Sequence, residues 1–172
     1  MREQASKKNH LGQREQRMYS FLRTNSVGVL STVDPDGNPH GAVIYYTVDK
    51  NFIVAFLTKT ETRKYDNLKH NSHVMVTIFN ARSQATVQIV GTASEVEDHG
   101  EINRIATAVQ TASIAKNGIG LLPISKLEAG GYTAFKIVPI QVRMAVFSQS
   151  DSGEYEDIFE SVESFELNGL EH

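Results

Sequence analysis

The chain has 172 residues, of which 40 % are hydrophobic and 22 % are charged, and it contains no cysteine. This composition is typical of one soluble globular domain, and it excludes disulfides, thiolate metal sites and general disorder. Residues 1–150 carry 17 basic and 12 acidic side chains, whereas residues 151–172 carry eight acidic and no basic ones; because the basic excess of the body is small and scattered, nucleic-acid binding is not expected.

The first half of the chain predicts one helix followed by a three-stranded meander. Met18, Phe21 and Leu22 recur at helical spacing, so we expect a helix over residues 13–25. Apolar runs at residues 27–33, 41–48 and 52–58 then predict three strands. The segment Asp34-Pro35-Asp36-Gly37-Asn38-Pro39 between the first two runs is a strong turn signal. Two short turns between three apolar runs indicate consecutive antiparallel pairing.

The second half predicts two more helices and three more strands. Helices are expected at residues 60–71 and 101–115, strands at 74–79, 85–96 and 132–147, and a glycine-rich loop at 116–131. Gly91 predicts a bulge or bend in the fifth strand, and Pro139 an edge position or a bulge in the sixth. Six strands with short turns and few helices favour a mainly β fold with flanking helices, a six-stranded antiparallel split β-barrel.

The acidic C-terminal segment carries Ile158, Phe159, Val162 and Phe165, whose spacing predicts a short helix docked on the barrel. The alternative is a segment that becomes ordered only on a partner. We therefore divide the chain into a flexible N-terminus (1–12), a barrel domain (13–148), an acidic tail (149–169) and three residues left from cloning (170–172). The polar start, Met-Arg-Glu-Gln, and the lack of a long apolar run predict a cytoplasmic protein without a signal peptide or membrane span.

The segment that joins the third strand to the second helix predicts an anion site. Arg63 and Lys64 fall in or near the first helical turn, where a cation costs a few tenths to about 1 kcal/mol. A bound phosphate would reverse that cost, because backbone N–H groups, two cations and the hydroxyls of Thr60 and Thr62 would converge on it. The alternative is that the two cations are solvated and pair with Glu61 or Asp66.

The order of elements resembles that of the pyridoxamine 5′-phosphate oxidase-like FMN-binding split-barrel family, from about Gln13 to Phe147. Four short motifs carry the resemblance, in the family's order: Asp36-Gly37-Asn38-Pro39, the stretch from Thr58 to Lys64 followed by Asn67-Leu68 and Asn71, Val90-Gly91-Thr92-Ala93, and Phe135-Lys136-Ile137-Val138-Pro139.

This resemblance implies a homodimer with FMN in the clefts between its subunits. It implies that Arg63 and Lys64 bind the FMN phosphate, and that Leu57 and Thr58 flank the flavin. The backbone of Ala42, Val43 and Ile44 would face the isoalloxazine ring. Thr86 stands where the oxidase carries a glutamine, and Gln88 on the same strand face is the expected substitute.

Two departures concern the substrate. The chain has no tryptophan, and Val142-Arg143-Met144-Ala145 stands where the oxidase has a tryptophan and then an Arg/His-bearing motif for the vitamer phosphate. We therefore expect a flavin-dependent oxidoreductase with an unknown small substrate, not a true pyridoxamine 5′-phosphate oxidase. The alternatives are a relative that uses deazaflavin or haem, and a binding or sensing module without turnover. His70 and His73 lack a third ligand, so no metal site is expected.

Overall fold

The computed structural model describes residues 12–117, 131–147 and 159–167. Its helices are α1 (Gln13–Thr24), α2 (Arg63–His70) and α3 (His99–Asn117). Its strands are β1 (Val27–Val33), β2 (Pro39–Val48), β3 (Val54–Lys59), β4 (His73–Asn80), β5 (Ala85–Glu95), β6 (Tyr132–Phe147) and β7 (Phe159–Glu166). None of these helices is both long and apolar enough to cross a bilayer.

Six strands close into an antiparallel barrel, which confirms the predicted fold. The order around the barrel is β1-β2-β3-β6-β5-β4, and β4 pairs with β1 to complete the circle. β6 is long enough to pair with β3 along its first half and with β5 along most of its length. The predicted meander is formed by β1, β2 and β3.

Local turn chemistry sets the first two hairpins. Asp34 Oδ1 accepts hydrogen bonds from the backbone N–H groups of Asp36 and Asn38 at 3.0 and 2.8 Å, and Gly37 supplies a φ of 84°. The second turn explains why β3 begins at Val54 and not at the predicted Phe52. Phe52 has a φ of 62° and closes the turn on Asp49, so it cannot belong to a strand.

The barrel interior is filled by alternate side chains of all six strands. Phe56 and Phe135 stack inside it with ring centroids 5.9 Å apart, and both are buried. α3 covers the outside of the barrel at β2, β3 and β6, where Ile102, Ile105 and Val109 pack on Ala55 and Ala134. The opposite outer face of the barrel is not covered by a helix of the described residues.

The bulge predicted at Gly91 is present, and Pro139 lies at the same bulge. Val90 pairs with Gln141 and Gly91 with Pro139, so Ile140 is an extra residue on β6. The two backbones approach closely here because Gly91 has no side chain. Pro139 needs no ladder hydrogen bond at such a position.

The prediction of a helix in the acidic tail is wrong. Residues 159–166 form β7, which pairs antiparallel with the second half of β6. Burial alternates along it: Glu163 and Phe165 are half-buried, whereas Val162 points outward and is 47 % exposed. The half-buried Phe165 packs on Phe52, with ring centroids 5.2 Å apart, and Arg17 of α1 forms an ion pair with Glu163. Pairing with the free edge of β6 therefore determines the structure of this segment, despite its helical spacing of apolar residues. Ile158, which was part of that spacing, lies outside the described residues.

Candidate functional site

The candidate site lies where β3 ends and α2 begins. Thr62 occupies the N-cap position of α2 with extended backbone, but its side chain does not cap the helix. Instead its hydroxyl donates to the Lys59 carbonyl at 2.8 Å and lies 3.0 Å from the Thr58 hydroxyl. The backbone N–H groups of Arg63 and Lys64 precede the first intrahelical hydrogen bond, so both are available to a ligand.

Two cations, Arg63 and Lys64, stand at this helix start. Lys64 is half-buried, and burial lowers the pKa of its ammonium group. It has no ion pair among the described residues, because Glu61 pairs with Lys59 at 3.1 Å and no described contact joins Asp66 to a cation. The alternative pairing of Arg63 and Lys64 with Glu61 or Asp66 is therefore not formed.

Arg63 is exposed and lies beside the turn that joins β1 to β2. The pKa of Asp34 in that turn is lowered chiefly by the hydrogen bond from the backbone N–H of Asn38, with a smaller contribution from the charge of Arg63. The charge of Arg63 thus acts on the first hairpin as well as on the helix start.

A buried polar contact fixes α2 against the barrel. Asn67 is 1 % exposed, and its side-chain amide donates to the Thr32 hydroxyl on β1 at 2.9 Å. The Thr32 hydroxyl lies 3.4 Å from the carbonyl oxygen of His40 on β2. Because buried polar groups need partners, this chain of contacts determines where the first turn of α2 lies. A rigid helix start is what a bound phosphate requires.

The residues predicted to contact the flavin ring lie on β2 and β3, but their side chains do not all face the same side of the barrel wall. Val43 is 63 % exposed on the outer face of the barrel, whereas Ile44 points into the core and Ala42 is half-buried toward it. Thr58 is buried, and Leu57 packs from the outer face on the cluster beneath α3. Since Ala42, Val43 and Ile44 alternate in direction, only their backbone could line one side of a planar ligand.

Thr86 and Gln88 are not brought next to the phosphate residues within one chain. Both are half-buried on the outer face of β5. Gln88 lies in one row of that face with Thr77, Val29 and Val43, so it is three strands, or roughly 14 Å, away from Val43. A single ligand could touch both ends of this row only if it were large or lay between two chains.

Two residues of the site were missed in the sequence. Lys59 is 8 % exposed at the end of β3, next to the predicted Thr58, and forms the ion pair with Glu61. Asn67 belongs to one of the motifs that carry the family resemblance, but nothing in the sequence shows that its amide is buried against β1. Thr60, which was predicted, is exposed, and its hydroxyl lies 3.4 Å from the Gly131 carbonyl.

Histidines do not form a cluster in this region. His70 ends α2 and His73 begins β4, as the spacing predicted. Within residues 12–117, 131–147 and 159–167, no three His, Asp or Glu side chains are grouped so as to hold a metal ion.

The fold is thus a closed six-stranded split barrel with a cationic helix start after its third strand. The profile of the pyridoxamine 5′-phosphate oxidase family matches residues 15–145. The chain therefore belongs to the pyridoxamine 5′-phosphate oxidase family, as the sequence motifs predicted. A comparison with curated proteins finds no match.

Solved structures share this fold. A candidate pyridoxamine 5′-phosphate oxidase from Listeria innocua is 26 % identical, with a TM-score of 0.61 over 77 % of this chain and 98 % of that chain. A related FMN-binding protein from Nostoc punctiforme is 13 % identical, with a TM-score of 0.56 over 93 % and 99 %. A heme-binding protein from Mycobacterium smegmatis is 16 % identical, with a TM-score of 0.61 over 91 % and 59 %.

Proposed function

We propose that this protein binds FMN, with the cofactor phosphate held at the start of α2. The observation that carries the proposal is the half-buried Lys64, a cation with a depressed pKa and no ion pair among the described residues. Such a charge is costly unless an anion accompanies it. Arg63 is the neighbouring cation, and the backbone N–H groups of Arg63 and Lys64 precede the first intrahelical hydrogen bond, so these are the proposed donors to the phosphate. Thr62 is a further proposed contact, with its hydroxyl proton already donated to the Lys59 carbonyl. The FMN-binding relative supports the choice of this cofactor.

We propose the remaining predicted contacts as well. Leu57 and Thr58 would lie beside the flavin, with the backbone of Ala42, Val43 and Ile44 along one side of the ring. Thr60, Thr86 and Gln88 are further proposed contacts. When bound, FMN supplies hydride or single-electron transfer, and the protein supplies orientation and local electrostatics. The chain's own task is therefore to fix the phosphate and exclude water from the ring.

The proposed activity is that of an oxidoreductase acting on a small molecule, distinct from the oxidation of pyridoxamine 5′-phosphate. A second phosphate would need its own basic pocket. The second half of β6 instead pairs with β7, whose Glu166 brings negative charge to this edge of the barrel, while Glu163 is paired with Arg17. Arg143 is the one basic residue on this part of β6, and it pairs in register with Ser164.

FMN added to the purified protein should be bound at about one molecule per subunit, with quenching of flavin fluorescence and a rise in melting temperature. At a hundredfold excess over the dissociation constant, binding should add about 2.7 kcal/mol to the free energy of unfolding. Riboflavin is the matched control, because it presents the same ring without the phosphate. Neither quenching nor stabilisation at saturating FMN would contradict the proposal.

The visible spectrum of the same sample tests the alternatives. Haem is the one that a specific observation favours, since a heme-binding protein shares the fold. The other two alternatives are a protein that uses deazaflavin and a flavin-binding or sensing module without catalytic activity. A Soret band with no flavin absorption would replace FMN by haem, and a bound flavin that no reductant reduces would favour the sensing module.

We further propose that the protein is a homodimer. The outer barrel face that α3 leaves uncovered exposes five large apolar side chains on β1, β2, β4 and β5: Val27, Val29, Val43, Phe79 and Val90. Contiguous apolar surface of this kind marks an interaction site in a soluble protein.

Replacement of Val29 by lysine should convert the dimer to a monomer, because it would bury a charge at the centre of this face. Light scattering at micromolar concentration measures the change. Ile140→Lys is the matched control, since Ile140 is 47 % exposed but lies at the β6 bulge, outside the five-residue face. A wild-type protein that is monomeric with FMN bound would exclude a cofactor site shared between subunits.

A further inference from the structure

Most contacts that hold α2 on the barrel leave the exact position of its first turn open. Leu68 is buried in the barrel core, and the Tyr65 ring lies edge-on to Phe135 with ring centroids 6.0 Å apart. Apolar contacts of this kind are not directional, so they keep the helix on the barrel without fixing where it lies along the wall. The ion pair of Lys69 with Glu95 is in the last turn and uses an exposed lysine, so it constrains the first turn weakly.

The Thr32 hydroxyl makes the directional contact, and it joins three elements. It accepts a hydrogen bond from the Asn67 amide at 2.9 Å and donates its own proton to the His40 carbonyl, 3.4 Å away. Asn67 and Thr32 are both buried, and Thr32 pairs in register with His40. A chain of two hydrogen bonds, shielded from water, therefore links α2 to β1 and β2.

The two ends of this chain lie at the two halves of the proposed FMN site. Asn67 follows Lys64 by three residues and Arg63 by four, so it lies one helical turn after the proposed phosphate donors on the same side of α2. His40 stands two residues before Ala42, where the stretch of β2 backbone proposed to line the ring begins. The hydrogen bonds thus set the spacing between the phosphate end and the ring end of the site.

Spacing matters because FMN carries its phosphate and its ring on one chain. A ring bound on β2 presents the phosphate to α2 at a high effective concentration, and this advantage is lost when the two subsites do not match the ligand. A displacement of about 1 Å is enough to remove much of such a gain. Riboflavin has no group at the α2 end, so its affinity does not depend on where α2 lies.

We infer that Asn67 and Thr32 are positioning residues for FMN, which hold the phosphate-binding start of α2 at a fixed distance from the ring-binding backbone of β2. In this role neither side chain touches the cofactor, and both act through the placement of Arg63 and Lys64. The inference rests on the proposed function, to which it adds the source of the preference for FMN over riboflavin.

Thr32→Val removes the hydroxyl and keeps the shape of the side chain. In the full-length protein we expect it to weaken FMN binding about tenfold and to change riboflavin binding by less than about twofold, both measured by flavin fluorescence. Asn67→Leu should have the same effect, whereas Thr32→Ser, which keeps a hydroxyl, should retain most of the FMN affinity. Thr47→Val is the matched control, because it makes the same change at a half-buried threonine near the other end of β2.

The double variant Thr32→Val/Asn67→Leu separates positioning from folding. Each single variant leaves a buried polar group without its partner and should lower the melting temperature, whereas the double variant removes both groups and should recover most of that loss. Its FMN affinity should nevertheless stay about tenfold low, because an apolar pair does not direct the helix. The phosphorus NMR signal of bound FMN should move toward that of free FMN in the double variant and not in Thr47→Val.

Two outcomes would overturn the inference alone. FMN affinity that recovers with the melting temperature in the double variant would show that Asn67 and Thr32 serve only folding. Equal losses of FMN and riboflavin affinity in the single variants would show that the two residues do not act on the phosphate end. A wild-type protein that binds no FMN, or binds FMN and riboflavin equally well, would contradict the proposed function and this inference with it.

Discussion

Exchange of Lys64 for glutamate should weaken FMN binding by about a hundredfold while changing riboflavin binding little. The ammonium group of Lys64 is half-buried at the start of α2, where no described residue neutralises it. A charge-assisted contact in such a place contributes about 1.5–3 kcal/mol, and charge reversal adds repulsion to its loss. Riboflavin lacks the phosphate, so its affinity reports on the ring alone.

The same substitution should leave the apo protein as stable as the wild type or slightly more stable. It removes a partly buried cation and places an acid in the first turn, where the helix dipole favours it. Lys69→Glu is the matched control, because Lys69 lies in the last turn of α2 and pairs with Glu95 at 2.9 Å. That variant should lose stability and keep its FMN affinity. Equal losses of FMN and riboflavin affinity in the Lys64 variant would mean that the phosphate lies elsewhere.

Replacement of Gly91 by alanine should lower the free energy of unfolding by about 3 kcal/mol, the largest effect we expect of any single methyl group in this barrel. A Cβ at this position would overlap the carbonyl oxygen of Val138 and would lie 2.8 Å from Ile137 Cγ2 and 3.1 Å from Pro139 Cα. Two of these three contacts are with backbone, which cannot rotate away. The strands would have to separate where β6 bends between its two sets of neighbours.

Gly41→Ala is the control for the loss of a glycine. Its Cβ would meet only Val29 Cγ1 at 3.5 Å, which is an ordinary contact. We expect a change within about 0.5 kcal/mol, measured for both variants by urea denaturation. Similar destabilisation by the two substitutions would show that the cost does not come from the close approach of β5 and β6, because the loss of a glycine by itself lowers the entropy of the unfolded chain and favours folding.

Much of the fold could be predicted because the relevant forces are local. β1 and β6 have the predicted bounds, and the other barrel strands differ from prediction by at most two residues. The alternation of apolar residues and the aspartate-rich turns are properties of short segments, and they determine strands wherever one face is buried. Phe52 is an exception, because its apolar side chain is typical of a strand whereas its backbone closes a turn.

The sequence predicted which residues form the candidate site, but not how their side chains are buried and paired. Arg63 and Lys64 were found from their order after a strand and before a helix. Lys64 is half-buried, and Glu61 pairs with Lys59. Both features depend on how α2 packs on β1 through the contact between Asn67 and Thr32. Four charged residues lie within six positions, and the sequence allows several pairings among them: Lys59, Glu61, Arg63 and Lys64. Only the packed backbone selects one of these pairings.

By itself the sequence determined the helices and strands of the barrel domain, the family and the cationic start of α2, since each of these follows from neighbours along the chain. The tertiary structure alone decided the rest. Closure of the barrel joins β3 to β6 across more than seventy residues, and the free edge of β6 turned an apparently helical tail into β7. Contacts between distant segments become favourable only after the chain has folded, so no local pattern records them.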